Sequence, residues 1–212
     1  MLAKLLSVFS VATVLTVMAF SFPTQAQEQT EPIEVSASSE QAALDFVKST
    51  AQKGLTFLSR PDSTEAEKKA EFQKLLNTSF DMDAIARFSL GRYWNTSTPA
   101  QQKEYLALFR KMVVNVYTQR FGDYKGQKFQ VKSARPVGNG DVLVTSEIIP
   151  TDGTEAIQVD WRVRPKSGTY KIVDVLVAGV SMSVTQRSDF SSVIQRGGGK
   201  VDVLINYLKQ KS

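Results

Sequence analysis

The chain of 212 residues contains no histidine and no cysteine. Without imidazole or thiol, the serine-histidine and cysteine-histidine hydrolases are excluded, along with most transition-metal sites and the commonest general base. The missing cysteine also excludes disulfides and the lipid-modified cysteine of a bacterial lipoprotein. No P-loop is present, and no GxGxxG follows a strand. Gly197-Gly198-Gly199 comes after a helical pattern rather than before one, so it reads as a helix stop, not a phosphate cradle. The excess of one sign is small: 26 Lys and Arg against 21 Asp and Glu give +5. That balance tolerates an anionic surface but lacks the clustered footprint of a nucleic-acid binder, so no nucleic-acid partner is expected.

What is present begins with an apolar run from Leu5 to Phe22 behind Lys4, closed by Pro23 and by Thr24-Gln25-Ala26. This reads as a secretory signal peptide over residues 1–26, cleaved after Ala26. The run reaches the lower limit for a membrane-spanning helix, so an uncleaved anchor is the alternative. Residues 27–38 are polar and small, which predicts a flexible tail. Residues 27–212 have the length of one domain with a substantial core.

Ser38 with Gln41 and Thr64 with Glu67 form capping boxes for helices ending near Ser59 and Leu76. Asp81 caps a short apolar helix running through Ile85 and Phe88 to Tyr93-Trp94. Thr98-Pro99-Ala100-Gln101 starts a long helix to about Phe121 whose apolar residues cover half the cylinder. The period then becomes two: Phe129–Arg135, Asp141–Ile149, Glu155–Arg164 and Thr169–Val177 are predicted strands with short turns between them. In the third, Ile157, Val159, Trp161 and Val163 share an apolar face, while Gln158, Asp160, Arg162 and Arg164 share a wet one. Ala178 and Gly179 pass the last strand to a helix patterned Val184, Arg187, Phe190, Val193, Ile194, and Val201, Leu204, Ile205 and Leu208 mark a final helix. Helices, then strands, then helices predict an α+β fold: a four-stranded antiparallel curved sheet with several helices on one face, enclosing an apolar pocket.

Asp174 lies mid-strand among apolar neighbours. Read structurally, it is a buried carboxylate paired with Arg187 or Arg120; read catalytically, it is the base of an enzyme on a curled α+β scaffold acting on a hydrophobic small molecule. Asp81 and Asp83 read as helix-start residues. The surplus is apolar and is expected to face one interior. Its candidate lining comes from Ile85, Phe88 and Trp94 on the third helix, and from Tyr105, Phe109, Met112 and Val116 on the long one. The strands add Val144, Val159, Trp161, Val163, Val173, Val175 and Val177, and Met182 opens the following helix. Adaptable methionines, Met82 among them, facing short valines leave room for an acyl chain.

FDMDAIARFSLGRYW (Phe80–Trp94), TPAQQ (Thr98–Gln102), Tyr117, DWRV (Asp160–Val163) and VDVLVAGVSMSVTQRSDFSSVIQR (Val173–Arg196) together resemble the MlaC family of periplasmic phospholipid-binding proteins, also called the toluene-tolerance auxiliary family. Hopanoid-associated exported relatives look similar at this level. The resemblance implies a carrier that is not an enzyme and needs no cofactor. Such a carrier takes up a diacyl phospholipid and shuttles it between an outer-membrane lipoprotein-porin complex and an inner-membrane ABC transporter with an MCE-domain ring, maintaining outer-membrane lipid asymmetry. The headgroup would be only loosely read, by Arg92 or Lys111, and the alternative for both residues is plain solvated surface. Export predicts a mature chain that begins at Gln27 and is recovered in the periplasmic fraction. Intact mass checks this, and a chain that keeps Leu5–Phe22 and sediments with membranes would make the segment an anchor.

Overall fold

A computed structural model describes residues 37–211. The expected signal peptide, and the expected tail up to residue 36, lie outside the described residues. Helix α1 (Ala37–Leu58) begins one residue before its predicted cap at Ser38. Helix α2 (Glu65–Ser79) has its capping box: the Thr64 hydroxyl accepts from the Glu67 N–H, and the Glu67 carboxylate accepts from the Thr64 N–H at 2.8 Å. Asp81 caps α3 (Met82–Leu90) by accepting from the Ala84 N–H. This helix does not run on to Trp94, as the sequence suggested. Gly91 stops it at φ +60°, where the Arg187 side chain passes so close that a Cβ would stand 2.8 Å from its Nε. The chain resumes as the short α4 (Tyr93–Thr96) and then as α5 (Pro99–Thr118), which starts on the predicted Thr98–Gln101 box.

Strands β1 (Lys128–Val137), β2 (Asp141–Ile149), β3 (Ile157–Lys166) and β4 (Thr169–Val177) pair antiparallel in sequence order. A fifth strand corrects the expected four. Ala178 and Gly179 both adopt positive φ, 48° and 79°, so the chain reverses in a two-residue hairpin and β5 (Val180–Ser181) pairs with β4 before the next helix begins. Register shifts at Val131/Ser133 and at Arg162/Val163 are irregularities of the kind that bend strands. Helices α6 (Met182–Arg196) and α7 (Val201–Lys211) complete the described fold. Gly197 caps α6, and a Cβ there would lie 2.6 Å from the methyls of Val203; the triple glycine is a tight helix-to-helix corner.

The apolar residues do not share one interior. Tyr105 and Phe109 of α5, Phe190 and Ile194 of α6, Leu90 of α3 and Leu204 of α7 belong to a helical core. A separate cluster sets Ala43 and Val47 of α1 against Val142, Val144 and Val163 of the sheet. Sheet registry alone cannot bring these together, because α1 covers β1 and β2 while α3 and α6 lie toward β4. On the opposite sheet face the expected wet row is largely tied down. Asp141, fully buried, accepts from Arg162 Nε and Arg164 Nε at 2.7 Å each, and the buried Asp160 accepts from Thr145 at 2.6 Å. The Asp141 hydrogen bond and charge outweigh the desolvation of Arg164 and raise its pKa.

The joint between α2 and α3 fastens the helices to β4. Phe80 makes a parallel bridge with Ile172, and the Asp81 N–H donates to the Ile172 carbonyl at 2.9 Å. Lys166 Nζ reaches the Asp81 carboxylate at 2.6 Å, and Lys171 donates to the Thr78 carbonyl. Burial pushes the Asp81 carboxyl upward, but the Lys166 hydrogen bond, the Ala84 N–H and the nearby charges of Lys166 and Arg164 outweigh it and hold the group below the usual aspartate range. A pKa lowered by folding stabilises the fold above the unfolded-state value and ceases to do so as pH falls through the folded value. Asp81→Asn keeps a good cap residue and loses the charge, so urea melts should show a loss of about 0.5–1 kcal/mol at neutral pH. The gap between variant and wild type should narrow as pH falls below the ordinary aspartate range and through the lowered folded-state value.

Candidate functional site

Between the helical core and the sheet lies a cavity of about 330 Å³. Its floor is Trp161, Val175 and Val177 on β3 and β4. Its walls come from Met82 and Ile85 of α3, from Phe109, Met112 and Val116 of α5, and from Met182 of α6. Phe72 of α2 and Phe80 of the α2–α3 joint close it toward a second cavity of about 450 Å³. That second space runs beneath Gly54 and Leu58 of α1, beside Phe129 of β1 and Ile157 of β3. Phe72, Phe80 and Trp161 line both spaces. Trp161 is held in place by donating Nε1–H to the Ser146 hydroxyl at 2.9 Å, and Ser146 donates onward to the Val159 carbonyl. The first cavity meets solvent where Val116 (45% exposed), Tyr117 (43%) and Val177 (37%) line it.

Of the predicted lining, Ile85, Phe109, Met112, Val116, Trp161, Val175, Val177 and Met182 converge on this cavity. The others are placed elsewhere. Tyr105 is wholly buried in the helical core, its hydroxyl donating to the Ala86 carbonyl at 2.8 Å, and burial raises its pKa. Trp94 packs on the rim of that core under Arg87, and Phe88 faces solvent beneath the Arg187 guanidinium. Val144 and Val163 belong to the α1–sheet cluster, Val159 is buried outside the lining, and Val173 falls within the irregular register of β4. Val184, expected to face inward from α6, is 54% exposed. Sequence reading missed Phe72, which lies in a helix of mostly polar residues with only a weak apolar stripe to point at it. Leu76, Val113, Gln186, Ser183 and Ser89 were missed as well.

The polar groups differ from expectation. Asp174 lines the cavity but pairs with neither Arg187 nor Arg120. Its carboxylate accepts from the Val175 N–H (2.9 Å), the Ser181 hydroxyl (2.6 Å) and the Ser183 N–H (3.1 Å). It therefore ties the β4–β5 hairpin to the first turn of α6. Arg92 is bonded to the Tyr93 hydroxyl and stacked on that ring, and neither it nor Lys111 lines the cavity. Among the described residues no group of His, Cys, Asp and Glu is placed to hold a metal, and no helix is long and apolar enough to cross a membrane.

An antiparallel sheet and a helical layer that meet over an apolar cavity, open at one edge and lined by hydrocarbon side chains from six elements, define an α+β domain of the internal-pocket class. The comparisons narrow that class. Residues 48–210 match the profile of the MlaC protein family, and the chain belongs to that family. It is 27% identical over 126 residues to the intermembrane phospholipid transport system binding protein MlaC of Haemophilus influenzae, a match covering 58% of each chain. With the toluene tolerance protein ttg2D of Pseudomonas putida it shares 22% identity over 134 residues, 63% of this chain and 62% of that one. The alignments thus span about three-fifths of the curated relatives' lengths. In fold it is similar to a phospholipid-binding protein from Ralstonia solanacearum solved with a phospholipid, at TM-score 0.68 and 24% identity, covering 80% of this chain and 96% of that one.

Cavity wall and core should respond oppositely to added bulk. Val175→Phe is expected to fill the cavity and leave the melting temperature unchanged or higher, because it occupies existing space. Val163→Phe, at a position with no exposure, should cost about 1–3 kcal/mol by overpacking. Thermal melts of the two variants side by side check the assignment.

Proposed function

We propose that the protein carries a diacyl phospholipid through the periplasm, taking it up with its acyl chains in the cavities between helices and sheet. The observation that supports this most directly is the chemistry of the lining: hydrocarbon on every wall of the first cavity, with a second apolar cavity behind Phe72, Phe80 and Trp161. Two chains of about thirty methylenes lose on the order of 25 kcal/mol when exposed to water, so unaided crossing of an aqueous compartment is negligible. An apolar cavity offsets most of that loss. In this reading the bent sheet and the helices enclose the chains, and the headgroup stays at the mouth near Val116, Tyr117 and Val177.

Delivery then requires donor and acceptor complexes that dock against the mouth. We assign these roles to an outer-membrane lipoprotein-porin complex and an inner-membrane ABC transporter with an MCE-domain ring, and the outcome to outer-membrane lipid asymmetry. The names of the relatives, an intermembrane phospholipid transport binding protein and a toluene tolerance protein, agree with this assignment. Catalysis by Asp174 is disfavoured on geometric grounds, since three donors already occupy its oxygens. Protein purified from cells without detergent should release diacyl phospholipid near one per chain on organic extraction, read by mass spectrometry. Val175→Phe should release clearly less. Extracts free of lipid, or carrying hopanoid instead, would overturn the phospholipid reading.

A further inference from the structure

Ser89 is a polar residue in an apolar wall. It lies in the last turn of α3, has no exposed surface, lines the first cavity, and its hydroxyl has no hydrogen-bond partner among the described residues. A serine or threonine within a helix usually satisfies itself by donating to the carbonyl four residues back, and here Thr56, Thr78, Thr185 and Ser192 all do so. Ser89 makes no such bond to Ile85. A buried hydroxyl left unpaired is costly, so an unpaired one beside a cavity points to a partner that arrives with the cavity's occupant.

The surroundings specify that partner. Ser183 and Gln186 of α6 line the same wall, three residues apart and therefore on one helix face, and α6 packs against α3. The nearby carboxylate of Asp174 is already satisfied by the Val175 N–H, the Ser181 hydroxyl and the Ser183 N–H. A phosphate would meet that negative charge with no cation on the lining to offset it. A neutral acceptor meets hydroxyl and amide donors instead: Ser89 and Gln186 in the wall, with the Ser183 hydroxyl beside them and the Tyr117 hydroxyl toward the mouth. An acyl ester carbonyl has that chemistry: it accepts, carries no charge, and joins directly to hydrocarbon that continues along Ile85 and Met112.

We propose that Ser89, sealed in the lipid-free protein and reached once the entering lipid parts the side chains around it, donates a hydrogen bond to an ester carbonyl of the bound lipid, so that this wall reads the ester linkage between acyl chain and glycerol while the phosphate stays outside. The inference rests on the phospholipid reading above. Its test is competitive loading of the delipidated full mature chain with equimolar diester phosphatidylglycerol and its dialkyl ether analogue of the same chain lengths, scored by mass spectrometry. Wild type should favour the ester by about three- to tenfold, the value of one neutral hydrogen bond. Ser89→Ala and Ser89→Cys should bring the ratio close to one, while the melting temperature of the lipid-free protein holds or rises because an unpaired group has gone. Equal loading of ester and ether by wild type, or a ratio unchanged in both variants, would overturn the role of Ser89 and leave the carrier reading intact. Failure of either lipid to load into wild type would instead overturn the carrier reading itself.

Discussion

The docking of the α2–α3 joint on β4 is the constraint on which the rest depends. A sheet and a helical layer can bury apolar residues against each other along their whole contact, and then no interior space remains. Here the approach is fixed at one place by backbone, through the Phe80–Ile172 bridge, and by charge, through Lys166 on Asp81. Farther along, each layer satisfies itself: the helices bury Tyr105, Phe109 and Phe190 among themselves, and α1 covers the valines of β2 and β3. Space is left between two cores that are each complete, and Phe72, Phe80 and Trp161 stand within it as the wall common to both cavities.

Such space is more stable when its polar boundary is paired, and apart from the Ser89 hydroxyl the hydrogen bonding around the cavity shows how that is achieved. Asp174 gathers three donors at the hairpin that leads into α6, Ser146 anchors the Trp161 indole, and Asp141 collects two arginines on the far face of the sheet. These interactions stiffen the floor and edge without adding side chains to the interior. The mouth is different. Val116, Tyr117 and Val177 are large and partly exposed, as befits a rim that must meet either water or a partner's surface.

Much of the local structure could be read from residue order. Thr64–Glu67, Asp81 and Thr98–Gln101 place three helix starts because a cap acts within four residues, and alternating valines place β2 and β4 to the residue. The break at Gly91 was not readable in the same way. It depends on Arg187, a residue distant in sequence, crossing the chain. The fifth strand was missed because two residues carry no period, and Asp174 was assigned the wrong partners because hydroxyls and N–H groups of the next hairpin outcompeted distant guanidinium groups.

The sequence by itself determined the chemical class of the interior and the family. An apolar surplus without histidine or cysteine leaves few enzymatic options, and motif residues spread over most of the chain carry the resemblance. Tertiary structure alone decided which apolar residues face space and which face each other. Val163 and Val175 are indistinguishable as strand valines, yet one is sealed beneath α1 and the other floors a cavity. The physical reason is that burial depends on which layer arrives opposite a residue, and that is set by long-range contacts such as Phe80 on Ile172, whereas periodicity reports only which residues share a side.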